Sequence, residues 1–227
     1  GAESGVPFAV DAAQTAGHWP IDFEKAHLSA LAVPAHKGLM GPQGIGALIV
    51  KPGFAETLTP LVAGGTGSFS DSEEIPELMP DRFEPGTMNL PGIYGWKAAL
   101  DWIEDQGAAT IREKEQALTA RLLDGLAGVK DIRILGPADP QKRVGVVSVD
   151  LIGRDSAVCA DLLETRFGIL TRCGLHCAPA AHKTLGTFPQ GAVRFSPGWF
   201  NTEADIDAAV YAVREVMRQG PPGGLSE

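Results

Sequence analysis

"SALAVPAHKGLMGPQGIGALIV", residues 29 to 50, reads as two apolar runs joined by a glycine- and proline-bearing link, and the first run ends on His36 and Lys37. A shorter run, "PFAVDAA" at residues 7 to 13, precedes it and carries Asp11 near its end, with Gln14 three residues on. Short apolar runs bounded by turn residues mark buried strands of a parallel sheet. The segment between the first two has helix-like spacing, short but sufficient for a crossover. Polar side chains at the carboxyl ends of such strands lie where open α/β sheets bind ligands. This opening therefore predicts an α/β fold with a mainly parallel sheet and a ligand edge bearing Asp11, Gln14, His36 and Lys37.

"GIGALIVK" supplies a third strand, followed by a long Gly/Thr/Ser-rich loop, "VAGGTGSFSDSEEIPELMPDRFEPGTMNLPG". Irregular loops of that length inside a compact domain are functional or disordered. From Ile93 to about Leu126 the spacing is helical, broken at Gly107 and closed by Gly125 and Gly128. The texture then changes. "KDIRILG", "RVGVVSVDL", "GILTRC" and "GAVRFSP" read as strands, and "DSAVCADLLETRF" and "TEADIDAAVYAVREVMRQ" as amphipathic helices, the second opened by Thr202 with acidic residues in its first turn. The expected organisation is a large α/β domain over residues 1–125, a small α+β domain over 126–219, and a loose tail over 220–227.

Composition narrows the function classes. The 227 residues carry a formal net charge of −9, which gives no basic footprint for nucleic acid or an anionic membrane. The longest apolar runs, such as "VGVVSVDLI", fall well short of the ~20 residues of a membrane span. A soluble, cytoplasmic protein with a small-molecule or protein partner is expected. Three cysteines suit thiols in a reducing compartment better than a disulfide framework. The chain opens without methionine and with a strand pattern almost at once, as though cut from something longer.

A pyridoxal phosphate site requires a lysine for the Schiff base, an aspartate to keep the pyridinium nitrogen protonated, and a donor to the phenolic oxygen. Lys37, Asp11 and Gln14 supply those three; alternatively Asp11 caps the turn after its strand and Lys37 is merely solvated. "FGILTRCGLHCAPAAHKTLG", residues 167 to 186, gathers Cys173, Cys177, His176 and His182. Their spacing matches no zinc ribbon or finger, which leaves a reactive thiol or plain packing, and Cys159 falls on the apolar face of a helix as an inert buried thiol.

Taken in order, "VDAAQTAGHWPID", "AHKGLMGPQGIGALIV", "GGTGSFSDSEE", "DRFEPGTMN", "RCGLHCAPAAHKTLGT" and "GAVRFSPGWFNTEADID" resemble the successive motifs of the class V aminotransferase family, in its cysteine desulfurase and selenocysteine lyase branch. The resemblance implies the C-terminal part of a fold type I pyridoxal 5'-phosphate enzyme, normally a homodimer. It implies Lys37 as the Schiff-base lysine, Asp11 at the pyridine nitrogen, Gln14 at the phenolic oxygen and His36 on the phosphate side. The "GGTGS" loop, with Gly65, Thr66 and Ser68, matches a segment that reaches a neighbouring subunit's phosphate. Arg194 matches the arginine that clamps the substrate carboxylate, with Arg172 as a second anion contact. Cys177 matches the thiol that accepts sulfur, and Cys173 has no assigned role. The implied reaction converts L-cysteine to L-alanine and leaves a persulfide on Cys177 for an acceptor protein. Selenocysteine lysis or another class V reaction is the alternative chemistry, and a non-catalytic fragment or dimerising module the alternative class. Pro34 departs from the family's hydroxyl residue at the phosphate, and about half of the family's chain, ahead of "DAAQ", is expected to be missing.

Overall fold

The computed structural model describes residues 4–69 and 71–218, so the loose tail expected over 220–227 lies outside the described residues. Two compact units divide the chain, Gly1–Ala108 and Ala109–Glu227.

In the first unit β1 (Ala9–Asp11), β2 (Ala30–Pro34) and β3 (Gly46–Val50) form a sheet in that order. β1 and β2 are parallel, with Asp11 beside Ala32. β2 and β3 are antiparallel. The link over residues 35–45 is too short for a crossover and closes instead as a turn, with Ala35 N–H donating to the Ile45 carbonyl at 3.0 Å and Gly41 N–H to the Ala35 carbonyl at 2.8 Å. The β1–β2 connection contains turns in place of the expected helix, because Gly17 at φ 85° and Pro20 interrupt it. β1 is also less buried than its apolar run suggests: Ala9 and Asp11 are exposed and only Val10 is half-buried. Ala12, Leu28, Leu31 and Val33 make a small buried cluster under the sheet, with Trp96 against it. α1 (Pro52–Ala55) follows β3, and α2 (Leu90–Gln106) is capped by Asn89, whose side chain accepts from Gly92 N–H, and stopped by Gly107.

The second unit begins with α3 (Ala108–Ala127), whose buried residues Ile111, Glu115, Leu118, Leu122 and Leu126 recur every three or four positions along one face. Leu118, Leu122 and Leu126 of that stripe belong to the core of the second unit, and the two compact units divide between Ala108 and Ala109. β4 (Ile132–Leu135), β5 (Val147–Leu151), β6 (Arg172–Gly174) and β7 (Ala192–Phe195) form an antiparallel sheet in the order β4-β5-β7-β6. Val147, Val149, Leu151, Val193 and Phe195 alternate inward and meet α4 (Ser156–Phe167) and α6 (Glu203–Arg218) in one continuous core. Asp155 caps α4 by accepting from Ala157 and Val158 N–H, and Gly168, left-handed at φ 68°, ends it. Thr202 and Asp205 exchange side-chain-to-backbone hydrogen bonds at the start of α6, a capping box. α5 (Pro179–Leu185), a helix that the sequence reading did not mark, sits between β6 and β7 in the chain.

Candidate active site

The candidate residues fall into two clusters, one in each unit. In the first unit, parallel pairing puts the carboxyl ends of β1 and β2 side by side. Asp11 ends β1, and the turn that leaves β2 carries His36 and Lys37, both exposed. Asp11, Ala13, Pro34, His36, Lys37 and Gly46 are among the residues lining a cleft of about 540 Å³. The Asp11 carboxylate accepts from Ala13 N–H at 2.9 Å through Oδ1, so the same group that turns the chain also faces the cleft.

A carboxylate, a primary amine and an imidazole around an open cleft on glycine and alanine backbone are the donor set that a flat, anionic, carbonyl-bearing cofactor requires. Pyridoxal phosphate fits this chemistry. Gln14, Gly65, Thr66 and Ser68 do not line that cleft. Gly65 accepts from Gly86 N–H at 2.8 Å, Thr66 Oγ1 from Ser68 N–H at 3.3 Å, and the Ser68 hydroxyl bonds the Asp81 carboxylate.

Sequence reading missed what locks the lysine turn. A Cβ on Gly17 would collide with the Gly38 carbonyl, and one on Gly38 would lie 2.6 Å from the His18 ring. Two backbones thus cross next to Lys37 where only glycine fits. The dipeptides Gly17-His18 and Lys37-Gly38 were the available signal, but the crossing joins residues about twenty positions apart.

In the second unit, strand register decides the arrangement. β6 and β7 pair Arg172 with Arg194, so two guanidinium groups stand on neighbouring strands. Like charges directly opposed destabilise a sheet. Among the described residues neither arginine forms an ion pair with a carboxylate, and Arg194 Nε is buried without a hydrogen-bond partner. Burial, with the positive charge of Arg172, lowers the Arg194 pKa from its ordinary value, an arrangement that an anion would relieve.

After β6 the chain turns sharply. Gly174 has φ 100°, and His176 and Cys177 follow in the left-handed region at 50° and 60°. A Cβ on Gly191 would collide with the Gly174 backbone, which pins this turn against the residue just ahead of β7. Cys177 is exposed, with its Sγ 4.0 Å from Arg172 Nη2. Cys173 is partly buried on β6, and Cys159 is buried in α4, where desolvation pushes its thiol pKa up. Burial holds the His176 pKa below its ordinary value, aided by the charges of Arg194, His182 and Arg172 and opposed by its hydrogen bond to the Arg172 carbonyl. The result is an exposed thiol and a neutral imidazole beside two cations, suited to a small anionic substrate that the thiol attacks. His182, singled out in the sequence, is buried behind this turn with Thr187, which had no signal beyond the unmarked α5.

Among the described residues no helix is long and apolar enough to cross a membrane, and no group of three acidic, histidine or cysteine side chains could hold a metal ion. Residues 2–209 match the aminotransferase class-V family. A probable cysteine desulfurase of Methanothermobacter thermautotrophicus is 32% identical over 95% of this chain and 54% of its own length. One from Pyrococcus abyssi is 34% identical over 95% of this chain and 53% of its own. Among solved structures, the apo cysteine desulfurase of Thermococcus onnurineus superposes with a TM-score of 0.87 at 34% identity, over 96% of this chain and 54% of that one. The Escherichia coli cysteine desulfurase CsdA gives 0.83 at 29% identity, over 96% and 53%. The chain spans about half the length of the curated relatives it matches.

Proposed function

The chain belongs to the class V aminotransferase family, and from that premise we propose that it supplies the lysine and the thiol of a pyridoxal phosphate-dependent cysteine desulfurase. The observation that carries this reading is the cluster of Arg172, Arg194 and exposed Cys177, a carboxylate clamp beside a nucleophile. Asp11, His36 and Lys37 fit the cofactor, with Gln14 and the loop of Gly65, Thr66 and Ser68 as further contacts, the loop acting on the other subunit of a homodimer. When bound, the cofactor supplies an electron sink at the substrate Cα.

This chain's residues do the rest. Arg194, with Arg172, holds the carboxylate of L-cysteine and so fixes the orientation of its Cα–H and its sulfur. The Lys37 amine takes the Cα proton and later returns a proton to carbon. Asp11 would hold a proton on the ring nitrogen of the cofactor. Cys177 Sγ, as thiolate, attacks the substrate sulfur: an S–S bond forms, the substrate Cβ–S bond breaks, and its electron pair stays with carbon, which leaves as L-alanine after protonation. The persulfide sulfur then passes to an acceptor protein in the cytoplasm. The exposed Cys177 thiol favours sulfur transfer over a reaction that needs no nucleophile on the enzyme, such as selenocysteine lysis.

The test is mass spectrometry of the Cys177 peptide after incubation with pyridoxal phosphate and L-cysteine, with alanine release followed in parallel. A sulfur adduct on Cys177, lost in Cys177→Ala together with alanine release, supports the reading. Alanine released by Cys177→Ala at the parental rate sinks it.

A further inference from the structure

His182 and Thr187 are polar, yet they are only 4% and 6% exposed. They satisfy each other: His182 Nδ1 lies 2.7 Å from Thr187 Oγ1, and Thr187 N–H donates to the His182 carbonyl at 2.9 Å. This double tie spans Gly186, the left-handed cap of α5, and fixes the end of that helix. A buried pair closed in this way specifies one arrangement, because leaving either partner alone costs its full desolvation.

The pair reaches the thiol turn through a second contact. The His182 ring packs against His176, with centroids 5.7 Å apart and planes tilted by 49°. His176 Nε2 is 2.9 Å from the Arg172 carbonyl. A carbonyl only accepts, so Nε2 carries the hydrogen and the neutral ring keeps its lone pair on Nδ1. Thr187, His182, His176 and the backbone of Arg172 thus form one row beneath Cys177. His176 and Cys177 are consecutive left-handed residues without glycine's freedom, a conformation that persists only where the surroundings impose it. Ala178 N–H closes the turn on the Leu175 carbonyl at 2.8 Å and Gly191 packs against Gly174, while the row backs the turn through the His176 side chain.

We infer that Thr187 and His182 are positioning residues, which act through His176 to hold the left-handed turn that presents Cys177 Sγ beside Arg172. The inference rests on Cys177 being the reacting thiol. Neither residue touches the substrate in this scheme.

The experiment compares Thr187→Val, which keeps the shape and removes the hydroxyl, with Thr187→Ser, which keeps the hydroxyl, in the protein loaded with pyridoxal phosphate. Nitrogen-15 spectra of the histidine rings report tautomers directly. Thr187→Val should shift the His182 Nδ1 signal and mix the His176 tautomers, and Thr187→Ser should restore both. In single turnover, sulfur transfer to Cys177 should fall by about two- to tenfold in Thr187→Val, the range expected for one lost neutral hydrogen bond. The KM for cysteine and the cofactor absorbance should stay parental. A parental His176 spectrum and transfer rate in Thr187→Val overturn the inference, as does failure of serine to restore them. Should the valine variant not fold, His182→Asn decides, since it removes the ring facing His176: the parental His176 signature in that variant is equally damaging. If the parent protein never forms a persulfide, the proposed function fails, while the ring spectra still decide whether the row holds the turn.

Discussion

The cleft that bears Lys37 and the turn that bears Cys177 are built on opposite principles. Around Lys37 the sheet has three short strands, its buried cluster is small, and β3 leaves Leu48 and Ile49 exposed. Around Cys177 a four-stranded sheet and three helices close over a continuous apolar core, and the reactive turn is strained and pinned from behind. The lysine is placed by the ends of two paired strands and one backbone crossing between Gly17 and Gly38. The thiol is placed by long-range packing. A unit with a deep core can hold consecutive left-handed residues, whereas a thinly packed one relies on glycine to make its close approaches.

The contrast can be broken first at the chemistry. Lys37→Ala should lower turnover by about a thousandfold or more, because proton transfer at carbon loses its base. Alanine release measures this, and the second unit's unfolding midpoint in urea should not move. A variant that keeps a tenth of parental turnover would remove Lys37 from its role.

Packing gives the next largest effect. Leu163→Ala, at a fully buried site in α4, should cost about 2–5 kcal/mol, whereas Leu48→Ala on the exposed face of β3 should stay within about 0.5 kcal/mol. Denaturant unfolding followed by probes in each unit separates the two, and equal costs would mean that the first unit's sheet face is covered in solution.

Backbone comes third. Gly17→Ala meets both a positive φ and the Gly38 carbonyl, so it should cost about 1–3 kcal/mol and weaken pyridoxal phosphate binding. Gly168→Ala, also left-handed but facing open space, should cost about 1 kcal/mol and leave binding alone. Equal cofactor affinity in the two variants would show that the crossing beside Lys37 positions nothing.

The smallest effect is electrostatic. His176 has an ordinary pKa of 6.5 and a lower one in the fold, mainly through burial. Between those values the unfolded chain binds the extra proton, so stability is complete above 6.5 and is lost as pH falls through the folded value. Urea midpoints for the second unit should drop on acidification over that window, and His176→Gln should flatten the slope. An unchanged slope would place the titration elsewhere.

Much of this was legible in the residues. Period-two alternation in "RVGVVSVDL" and "GAVRFSP" marks β5 and β7, and it sends Arg194 to the face opposite Val193 and Phe195. The helical stripe from Ile111 to Leu126 marks α3, although not which unit it joins, since an apolar face states that it must be buried and not against what. The direction of β3 is not legible in its own residues, because an apolar run looks the same in either orientation, and only the length of the 35–45 link decides it. α5 was missed because seven residues with two alanines and a proline carry too little periodicity.

By itself the sequence determined which groups the protein has to work with: an acid and an amine at successive strand ends, a loop thiol, a strand arginine, and the caps and glycines that fix local turns. Each depends on neighbours within a few residues, where side-chain chemistry and backbone sterics act directly. Tertiary structure alone decided that Arg172 faces Arg194, that Gly17 crosses Gly38, and that the Thr187 and His182 pair backs His176. Those meetings depend on strand register and on packing between segments distant in the chain or in different elements. Local preference does not encode them, and only the cooperative burial of the two cores selects them.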